Sequence, residues 1–389
     1  MNKFKYYFIL LLAGISLVSC SKKDDDEDVV VVPVRDYAEQ YKADNDSIIK
    51  YLKTNYIKEV TPNFDVVIEK IPAGGTETSI WDQKVYPLET RNVYSNNITY
   101  NVYYLTLRKG SGQSPTNTDK IVAAYKGNLL NGKVFDQSYG VGRKFLLFPY
   151  AISTAEEVTV IEGWSEMFPK FKTGVSTTAP DGSVTYQDFG AGIIFLPSGL
   201  GYYEQVKNDI PSYSPLVFTI KLYDLQRMDN EYTFNSSTGA RVFMGDGVPD
   251  YLEDVNGDGY LYDFRNTTKY PNPPASLIDD TDGDGIADFL DFDDDGDGFS
   301  TRFEVTKPAD APNTGISKYY PWDPIGDNPA TPNIDETELY GIPRRPTGAL
   351  TDPSKPESIN NPRKFIEDDY KANPRLRIYL DKTYPYQKN

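Results

Sequence analysis

The sequence predicts an α+β domain at residues 97–226, in which an antiparallel β-sheet folds over one short α-helix. Segments of alternating apolar and polar residues, bounded by glycine or proline, recur along this stretch as strands are expected to do. Only residues 162–171 have helical character within it. Strands and helices do not alternate as a parallel sheet would require, which favours antiparallel pairing.

Local patterns place the elements of this domain. Asn131-Gly132 favours the positive φ angles of a tight hairpin turn and joins two of the strands. Pro169 limits the length of the helix at 162–171. The predicted strands are residues 98–107, 121–125, 133–135, 193–196 and 216–222.

The segment before this domain carries one helix and one strand. Apolar residues near helical spacing predict an amphipathic helix over 36–56, which we expect to pack against the domain that follows. They are Tyr37, Tyr41, Ile48, Leu52 and Tyr56. A β-branched alternation predicts a strand over 64–71, and residues 76–96 carry no usable pattern.

Composition excludes several functional classes. The chain of 389 residues has 57 acidic and 40 basic side chains, a balance that argues against nucleic acid as a partner. It has no histidine, which removes the usual general base and the commonest zinc ligand. Its single cysteine, Cys20, cannot form an internal disulfide.

Residues 1–20 read as a secretory signal with two lysines and an apolar run. The ending Leu17-Val18-Ser19-Cys20 resembles a bacterial lipobox, which implies acylation of Cys20 and anchoring in a membrane. The alternative is a buried apolar helix with a chance cysteine. Residues 21–35 form an acidic tether, either a plain spacer or a segment that resembles the export tag of surface lipoproteins in Bacteroidetes-type bacteria.

A series of short motifs in the core domain resembles FKBP-type peptidyl-prolyl cis-trans isomerases. The series includes Tyr125, Gly127, Gly132, Phe135-Asp136, Val160-Ile161-Glu162-Gly163-Trp164, Leu196-Pro197-Ser198-Gly199-Leu200-Gly201-Tyr202, Ile210-Pro211 and Leu216-Val217-Phe218. The resemblance implies an FKBP-like fold and a proline pocket with Trp164 as its floor. By the same resemblance, the pocket residues are Tyr125, Phe135, Asp136, Phe145, Val160, Ile161, Trp164, Tyr202 and Phe218.

Residues of this kind suit prolyl isomerisation, which needs no metal, cofactor or nucleophile. A dry aromatic pocket lowers a barrier of about 18–20 kcal/mol that amide resonance causes. The resemblance implies that the Ile161 N–H and the Tyr202 hydroxyl hold carbonyls beside the proline. Asp136 would favour the twisted amide electrostatically. The alternative is that these aromatic residues are simply core.

The sequence departs from the family in three places. Val141 stands where the family often has an arginine that pairs with the aspartate, and Arg143 is the possible substitute. Thr159 stands at a position where the family frequently has an acidic residue. Residues 175–190 form an insertion that could cover or reshape the pocket.

Beyond Leu225 the composition becomes strongly acidic. Residues 245–304 contain 17 Asp or Glu against three Lys or Arg, and Gly245-Asp-Gly-Val-Pro-Asp is repeated as Gly283-Asp-Gly-Ile-Ala-Asp. Two stretches have the alternating carboxylates and the sixth-position glycine of a calcium loop. The predicted calcium ligands are Asp280, Asp282, Asp284, Asp288, Asp291 in the first loop and Asp293, Asp295, Asp297, Glu304 in the second.

An earlier set, Asp246, Asp250 and Glu253, is not expected to form a complete site. The acidic segment lacks flanking helices of ordinary length and resembles thrombospondin type 3 repeats, in which calcium replaces a hydrophobic core. The alternative is a solvated acidic linker.

The tail is rich in proline, although residues 376–380 could pack back onto the calcium module.

These patterns divide the chain into six segments. They are 1–20 signal, 21–35 tether, 36–96 extension, 97–226 isomerase domain, 227–305 calcium repeats and 306–389 tail. The prediction is an outer-membrane lipoprotein, on the periplasmic side or the cell surface, that assists folding of proline-containing polypeptides and uses calcium structurally. The competing hypothesis is a binding or spacer lipoprotein in which this fold has no turnover.

Overall fold

A computed structural model describes residues 33–148, 157–308, 311, 318–320, 341–371 and 375–385. Residue contacts divide the chain after Arg35, and the helices and strands of the described residues belong to the unit from Asp36 onward. Cys20, the apolar run before it and most of the acidic tether lie outside the described residues. Among the residues that the structure describes, no helix combines the length and hydropathy of a membrane span.

The helices and strands have the following bounds. The strands are β1 (Asn55–Val60), β2 (Val66–Lys70), β3 (Leu88–Ser95), β4 (Ile98–Arg108), β5 (Lys120–Leu129), β6 (Val134–Gln137), β7 (Arg143–Leu146), β8 (Glu157–Thr159), β9 (Val175–Thr178), β10 (Val184–Gln187), β11 (Gly190–Leu196), β12 (Leu216–Gln226), β13 (Tyr232–Phe234) and β14 (Arg241–Phe243). The helices are α1 (Tyr37–Thr54), α2 (Glu162–Met167), α3 (Thr301–Glu304) and α4 (Glu367–Tyr370).

The central sheet has the order β3-β4-β11-β12-β5-β7-β8, with β6 also paired to β5. Its pairs are antiparallel, as predicted, except that β7 and β8 run parallel, with Phe145 opposite Val158. The prediction of a wholly antiparallel sheet is therefore wrong at this edge. A parallel pair cannot be joined by a hairpin turn, and ten residues separate these two strands in the sequence.

Both faces of the sheet are covered. Alternate residues of β4, such as Tyr100, Val102 and Tyr104, belong to the core beneath α2. Residues of β4 that point to the opposite face, such as Tyr103 and Leu105, belong to a second core that α1 and β2 complete. The prediction that the N-terminal helix packs against the domain is confirmed, and Asp44 of α1 accepts a hydrogen bond from the backbone N–H of Ser198 at 2.7 Å.

The N-terminal segment differs from its prediction in two details. The helix ends at Thr54, so Tyr56 lies in β1 and not on the predicted helix, because β1 forms a hairpin with β2. Strand β3 lies in a stretch without a usable pattern, and it pairs with β4 along its whole length. The sheet therefore begins before the predicted boundary at residue 97.

The acidic module contains short helical turns and one hairpin, β13–β14, among its described residues. A small core forms where residues 376–380 return to it, as the sequence predicts. Ile378 and Tyr379 are fully buried, and the Tyr379 hydroxyl donates to the Leu252 carbonyl at 2.7 Å. Asn117 joins this module to the sheet domain, because its side chain exchanges two hydrogen bonds of 2.8 Å with the backbone of Leu261.

Candidate functional site: an aromatic pocket and two acidic loops

Trp164 is the centre of the predicted pocket. It lies on α2 and is 4% exposed, and its ring packs edge-on against three of the predicted pocket residues. The centroid distances are 5.0 Å to Tyr125, 5.1 Å to Phe145 and 5.2 Å to Phe218. The structure therefore brings together rings that are far apart in the sequence, because α2 crosses the face of the sheet that carries them.

Gly127 makes room for this cluster. It lies on β5 opposite Phe218 on one side and Asp136 on the other. A Cβ atom at this position would be 2.4 Å from Phe135 and 3.0 Å from Phe218. Phe135 and Phe218 also pack edge-on, with centroids 5.6 Å apart. Gly127 was not predicted as a site residue, although it belongs to the series of motifs that resembles the isomerase family.

Asp136 has a partner that the sequence did not suggest. The Tyr125 hydroxyl donates to Asp136 Oδ2 at 2.5 Å, and the Gln137 backbone N–H donates to Oδ1 at 2.8 Å. Burial, and then the hydrogen bond to Asp136, raise the pKa of Tyr125. The phenol therefore stays neutral and holds the carboxylate, a task for which the sequence offered Arg143, because Val141 stands where the family often has an arginine.

Val160, Ile161 and Tyr202 complete the rim. All three are half-buried and pack against the core that contains Trp164. Ile161 precedes the first turn of α2 in an extended conformation, at φ −70° and ψ 151°. Burial, and then the charge of Asp136, raise the pKa of Tyr202, which places this hydroxyl within the field of the carboxylate.

The arrangement combines a dry floor with one charged edge. Phe145, Trp164 and Phe218 are buried, whereas Asp136 is exposed. An apolar ring bound on Trp164 would lose its water, and the polar groups at the rim would lie beside its amide. Such a site can bind a proline and change the electrostatics around its peptide bond, and none of these residues is a nucleophile.

The first predicted calcium loop brings three of its five carboxylates together. Oxygen atoms of Asp280, Asp282 and Asp284 lie within 4.8 Å of one another. The Gly285 N–H donates back to Asp280 Oδ2 at 3.0 Å, and Gly285 has a φ of +95°, which explains the need for glycine. Such a turn points alternate oxygens inward.

The other two carboxylates of this loop are not members of that group. Asp288 accepts from the backbone N–H and the hydroxyl of Thr281, both at 2.7 Å. Asp291 accepts from the backbone N–H groups of Phe292 and Asp293.

The second loop fits a cation better. Oxygen atoms of Asp293, Asp295 and Asp297 lie within 4.8 Å of one another. Within the described part of the chain, no hydrogen-bond donor reaches four buried oxygens of this loop, which are Asp293 Oδ1, Asp295 Oδ2 and both oxygens of Glu304. Burial, and then repulsion from Asp295 and Asp297, raise the pKa of Glu304 to about 11. A hard cation held by this donor set would relieve that repulsion.

Two family models match parts of the chain. Residues 111–223 match the model of the FKBP-type peptidyl-prolyl cis-trans isomerases, and residues 245–333 match a model described as BamM C-terminal. The second match covers both predicted calcium loops and continues into the predicted tail.

Curated relatives match the same central segment. The peptidyl-prolyl cis-trans isomerase Mip of Coxiella burnetii is 31% identical over 125 residues, which are 32% of this chain and 44% of Mip. The isomerase FkpA of Escherichia coli K12 is 30% identical over 123 residues, which are 32% of this chain and 37% of FkpA. The chain thus covers less than half the length of these relatives, and its central segment is similar to FKBP-type peptidyl-prolyl cis-trans isomerases.

Two solved structures align with parts of the chain. The crystal structure of FkpA from Escherichia coli aligns at 29% identity with 35% of this chain and 51% of its own, with a TM-score of 0.25. A peptidyl-prolyl cis-trans isomerase from Pseudomonas syringae aligns at 19% identity with 49% of this chain and 96% of its own chain, with a TM-score of 0.28.

Proposed function

We propose that the whole protein is an active peptidyl-prolyl cis-trans isomerase that acts on proline-containing polypeptides. The observation that carries this proposal is the ring cluster around Trp164, with Asp136 held at its edge by Tyr125. These residues lie in the segment that matches the isomerase family.

The catalytic step is rotation about one amide bond, and the pocket would lower its barrier in two ways. The proline ring would bind on Trp164 between Phe135 and Phe218, where little water remains to stabilise the planar, polarised amide. The Ile161 N–H and the Tyr202 hydroxyl would hold the neighbouring carbonyls. The charge of Asp136, fixed by Tyr125, would favour the twisted amide over the planar one.

We further propose that the clients are extracytoplasmic proteins and that the protein is an outer-membrane lipoprotein. The apolar run before Cys20 and the charged residues after it support this location. Labelled palmitate should enter the wild type and not Cys20→Ser. Equal labelling of both would contradict the anchor.

The acidic module is proposed to bind calcium through its two loops. The buried carboxylate oxygens of Asp293, Asp295 and Glu304, which lack donors, support this proposal. Thermal melts with calcium and with EGTA test it, and Asp297→Asn should reduce the difference between the two melting temperatures. An identical difference in wild type and variant would contradict a calcium ion in this loop.

A protease-coupled assay with a Xaa-Pro peptide tests the enzyme proposal. Asp136→Ala and Phe218→Ala should each lower kcat/KM by about tenfold or more, since each removes a group placed at the reacting amide. The matched controls are Asp46→Ala on α1 and Phe234→Ala on β13, both exposed and outside the pocket. Melting temperatures separate lost activity from lost folding.

The same assay decides between turnover and binding alone. Background-level rates for the wild type and for both pocket variants would overturn the enzyme proposal. They would favour a recognition module without catalysis.

A further inference from the structure

A second acidic cluster lies outside the two predicted calcium loops, where the isomerase domain meets the acidic module. We call it the junction cluster. It consists of Asp229, Glu231, Asp246, Asp250, Glu253 and Asp294. Five of these residues are at most 1% exposed, and Asp229 is half-buried. So many buried carboxylates are rare without a counter-charge.

The carboxylates of the junction cluster approach one another closely. They form three overlapping groups whose ligand oxygens lie within 4.8 Å of one another. The groups are Asp229–Glu231–Asp246, Glu231–Asp250–Glu253 and Asp246–Glu253–Asp294. Two oxygens on opposite sides of a calcium ion are separated by roughly 4.8 Å, since each lies about 2.4 Å from the ion. The spacing therefore fits a shared cation.

Several of these oxygens have no hydrogen-bond donor. Both oxygens of Glu253 and both of Asp294 are buried and have no hydrogen-bond partner among the described residues, and the same holds for Glu231 Oε1 and Asp246 Oδ2. Asp250 differs, because Asn230 donates to it from its backbone at 3.0 Å and from its side chain at 2.6 Å. Each of the three groups contains at least two of the residues that carry these unpartnered oxygens.

The positive charge of Arg302 does not neutralise the carboxylates of the junction cluster. The Arg302 guanidinium donates to the Gly245 carbonyl at 3.1 Å, and its single charge cannot balance six carboxylates. A buried carboxylate without a partner costs several kcal/mol, so the cluster must hold either protons or a cation.

The sequence repeat explains where the ligands come from. Asp246, Asp250 and Glu253 match Asp284, Asp288 and Asp291 of the first calcium loop. The positions that match Asp280 and Asp282 are occupied by Val242 and Met244, so the repeat lacks its first two carboxylates. This is why the sequence alone predicts no complete site there.

Residues from the neighbouring segment stand in for the missing pair. The Glu231 carbonyl accepts from the Met244 N–H at 3.0 Å, and Asp229 Oδ1 accepts from the Asp246 N–H at 3.0 Å. These bonds hold Asp229 and Glu231 beside the repeat. Asp294 enters from the second calcium loop, between two residues of that loop's own group.

We propose that the junction cluster binds a structural calcium ion, with Glu231, Asp246, Glu253 and Asp294 as its principal ligands. All donors are carboxylate oxygens, which suit a hard cation. Magnesium is disfavoured, because it keeps several waters and the oxygens here are shielded from solvent. This ion is additional to those of the two loops.

The ion would link the isomerase domain to the acidic module. It joins the segment that leaves β12, the first repeat and the second loop. Asn230, which holds Asp250, also donates to the Thr118 carbonyl of the isomerase domain at 3.2 Å. Calcium would therefore stabilise the attachment of the module as well as the module itself.

Calcium counting on the full chain tests the proposal. The protein is stripped with EGTA, loaded with calcium chloride and examined by native mass spectrometry, with thermal melts in parallel. Glu253→Gln keeps the size of the side chain and removes its charge, so it should bind one calcium ion fewer than the wild type. The stabilisation that calcium gives should also be smaller.

Three further variants control the experiment. Glu59→Gln makes the same change on the exposed face of β1 and should behave as the wild type. Asp297→Asn should lose the loop ion and keep the junction ion, and the double variant should lose both. Glu231→Gln provides a second test of the cluster if Glu253→Gln does not fold.

Opposite outcomes overturn the inference. An unchanged calcium count in a folded Glu253→Gln or Glu231→Gln variant would show that the cluster holds protons. A calcium-induced shift in the melting temperature of either variant that equals the shift of the wild type would show the same.

Discussion

At the scale of single residues, Gly127 leaves room for the rings of the proposed proline pocket. Its backbone needs no unusual φ, so alanine there is a test of space alone. Gly127→Ala should push Phe135 and Phe218 from their positions, because its Cβ would lie 2.4 Å and 3.0 Å from their rings. We expect kcat/KM for a Xaa-Pro peptide to fall by about tenfold or more, with a smaller effect on the melting temperature.

Gly132→Ala is the matched control for this variant. Gly132 has a φ of +86° and no atom within 4 Å of the position that a Cβ would take, so alanine there strains the hairpin turn without touching the pocket. It should lower the free energy of unfolding by about 1 kcal/mol, which lowers the melting temperature, and it should leave kcat/KM unchanged. A wild-type rate for Gly127→Ala would show that proline does not bind between these rings.

The predicted pocket residues could be named from the sequence because the motifs that carry them are short and ordered. The partner of Asp136 could not be named from the sequence. Tyr125 and Asp136 lie on β5 and β6, and the sequence does not show which side chains meet across a strand pair whose register shifts beside Gly127. The sequence therefore offered Arg143 as the partner, in place of the arginine that Val141 replaces, whereas the bond comes from a phenol.

At the scale of elements, periodicity predicted the long segments and missed the short ones. Strand β4 and helix α1 are long enough to show their periods. Strands β7 and β8 have four and three residues, too few for alternation to be recognised. Strand β3 is at the edge of the sheet and exposes charged residues such as Glu89, so its pattern is weak.

The insertion at 175–190 forms the hairpin β9–β10, which rests on one end of β12. Tyr186 stacks on Tyr223, with ring centroids 4.9 Å apart. Tyr223 is five residues from Phe218 along β12, or about 17 Å at the rise of a strand. The hairpin therefore lies well away from the floor of the pocket, although Val184 and Tyr186 border a surface groove that Tyr125 also lines.

Removal of this hairpin should leave the chemistry intact. With residues 176–186 replaced by two glycines, we expect kcat/KM for a tetrapeptide to stay within about threefold of the wild type, because such a peptide occupies only the ring cluster. The loss of the Tyr186 stack should lower stability by about 1 kcal/mol, which Tyr186→Ala alone should reproduce. A large loss of tetrapeptide activity in the deletion, but not in Tyr186→Ala, would place the hairpin over the pocket.

At the scale of the whole molecule, the acidic module holds the helix that carries Trp164. The Tyr260 hydroxyl donates to the Glu166 carbonyl at 3.0 Å, and the Tyr262 hydroxyl donates to Glu166 Oε2 at 3.1 Å. Arg91 pairs with the same carboxylate at 2.5 Å, and its guanidinium lies 3.2 Å from the centre of the Tyr260 ring. Sequence periodicity could not reveal these contacts, because they join residues that are between 75 and 169 positions apart.

This network predicts that the module affects catalysis without touching the substrate. Tyr260→Ala removes a buried ring and a hydrogen bond, so it should cost about 3–5 kcal/mol of stability, by analogy with other aromatic truncations. It should also lower kcat/KM, because Glu166 and Trp164 share one short helix. Tyr260→Phe removes only the hydrogen bond and should cost about 1 kcal/mol, with a smaller loss of activity.

The two variants separate support of the pocket from support of the fold. Melting curves report stability, and the peptide assay, run well below the melting temperature of each variant, reports the geometry of the pocket. If α2 is held in place by the module, kcat/KM should follow the order wild type, Tyr260→Phe, Tyr260→Ala. A lower melting temperature with an unchanged kcat/KM in both variants would mean that the sheet alone positions Trp164, and that the module stabilises the chain independently of its pocket.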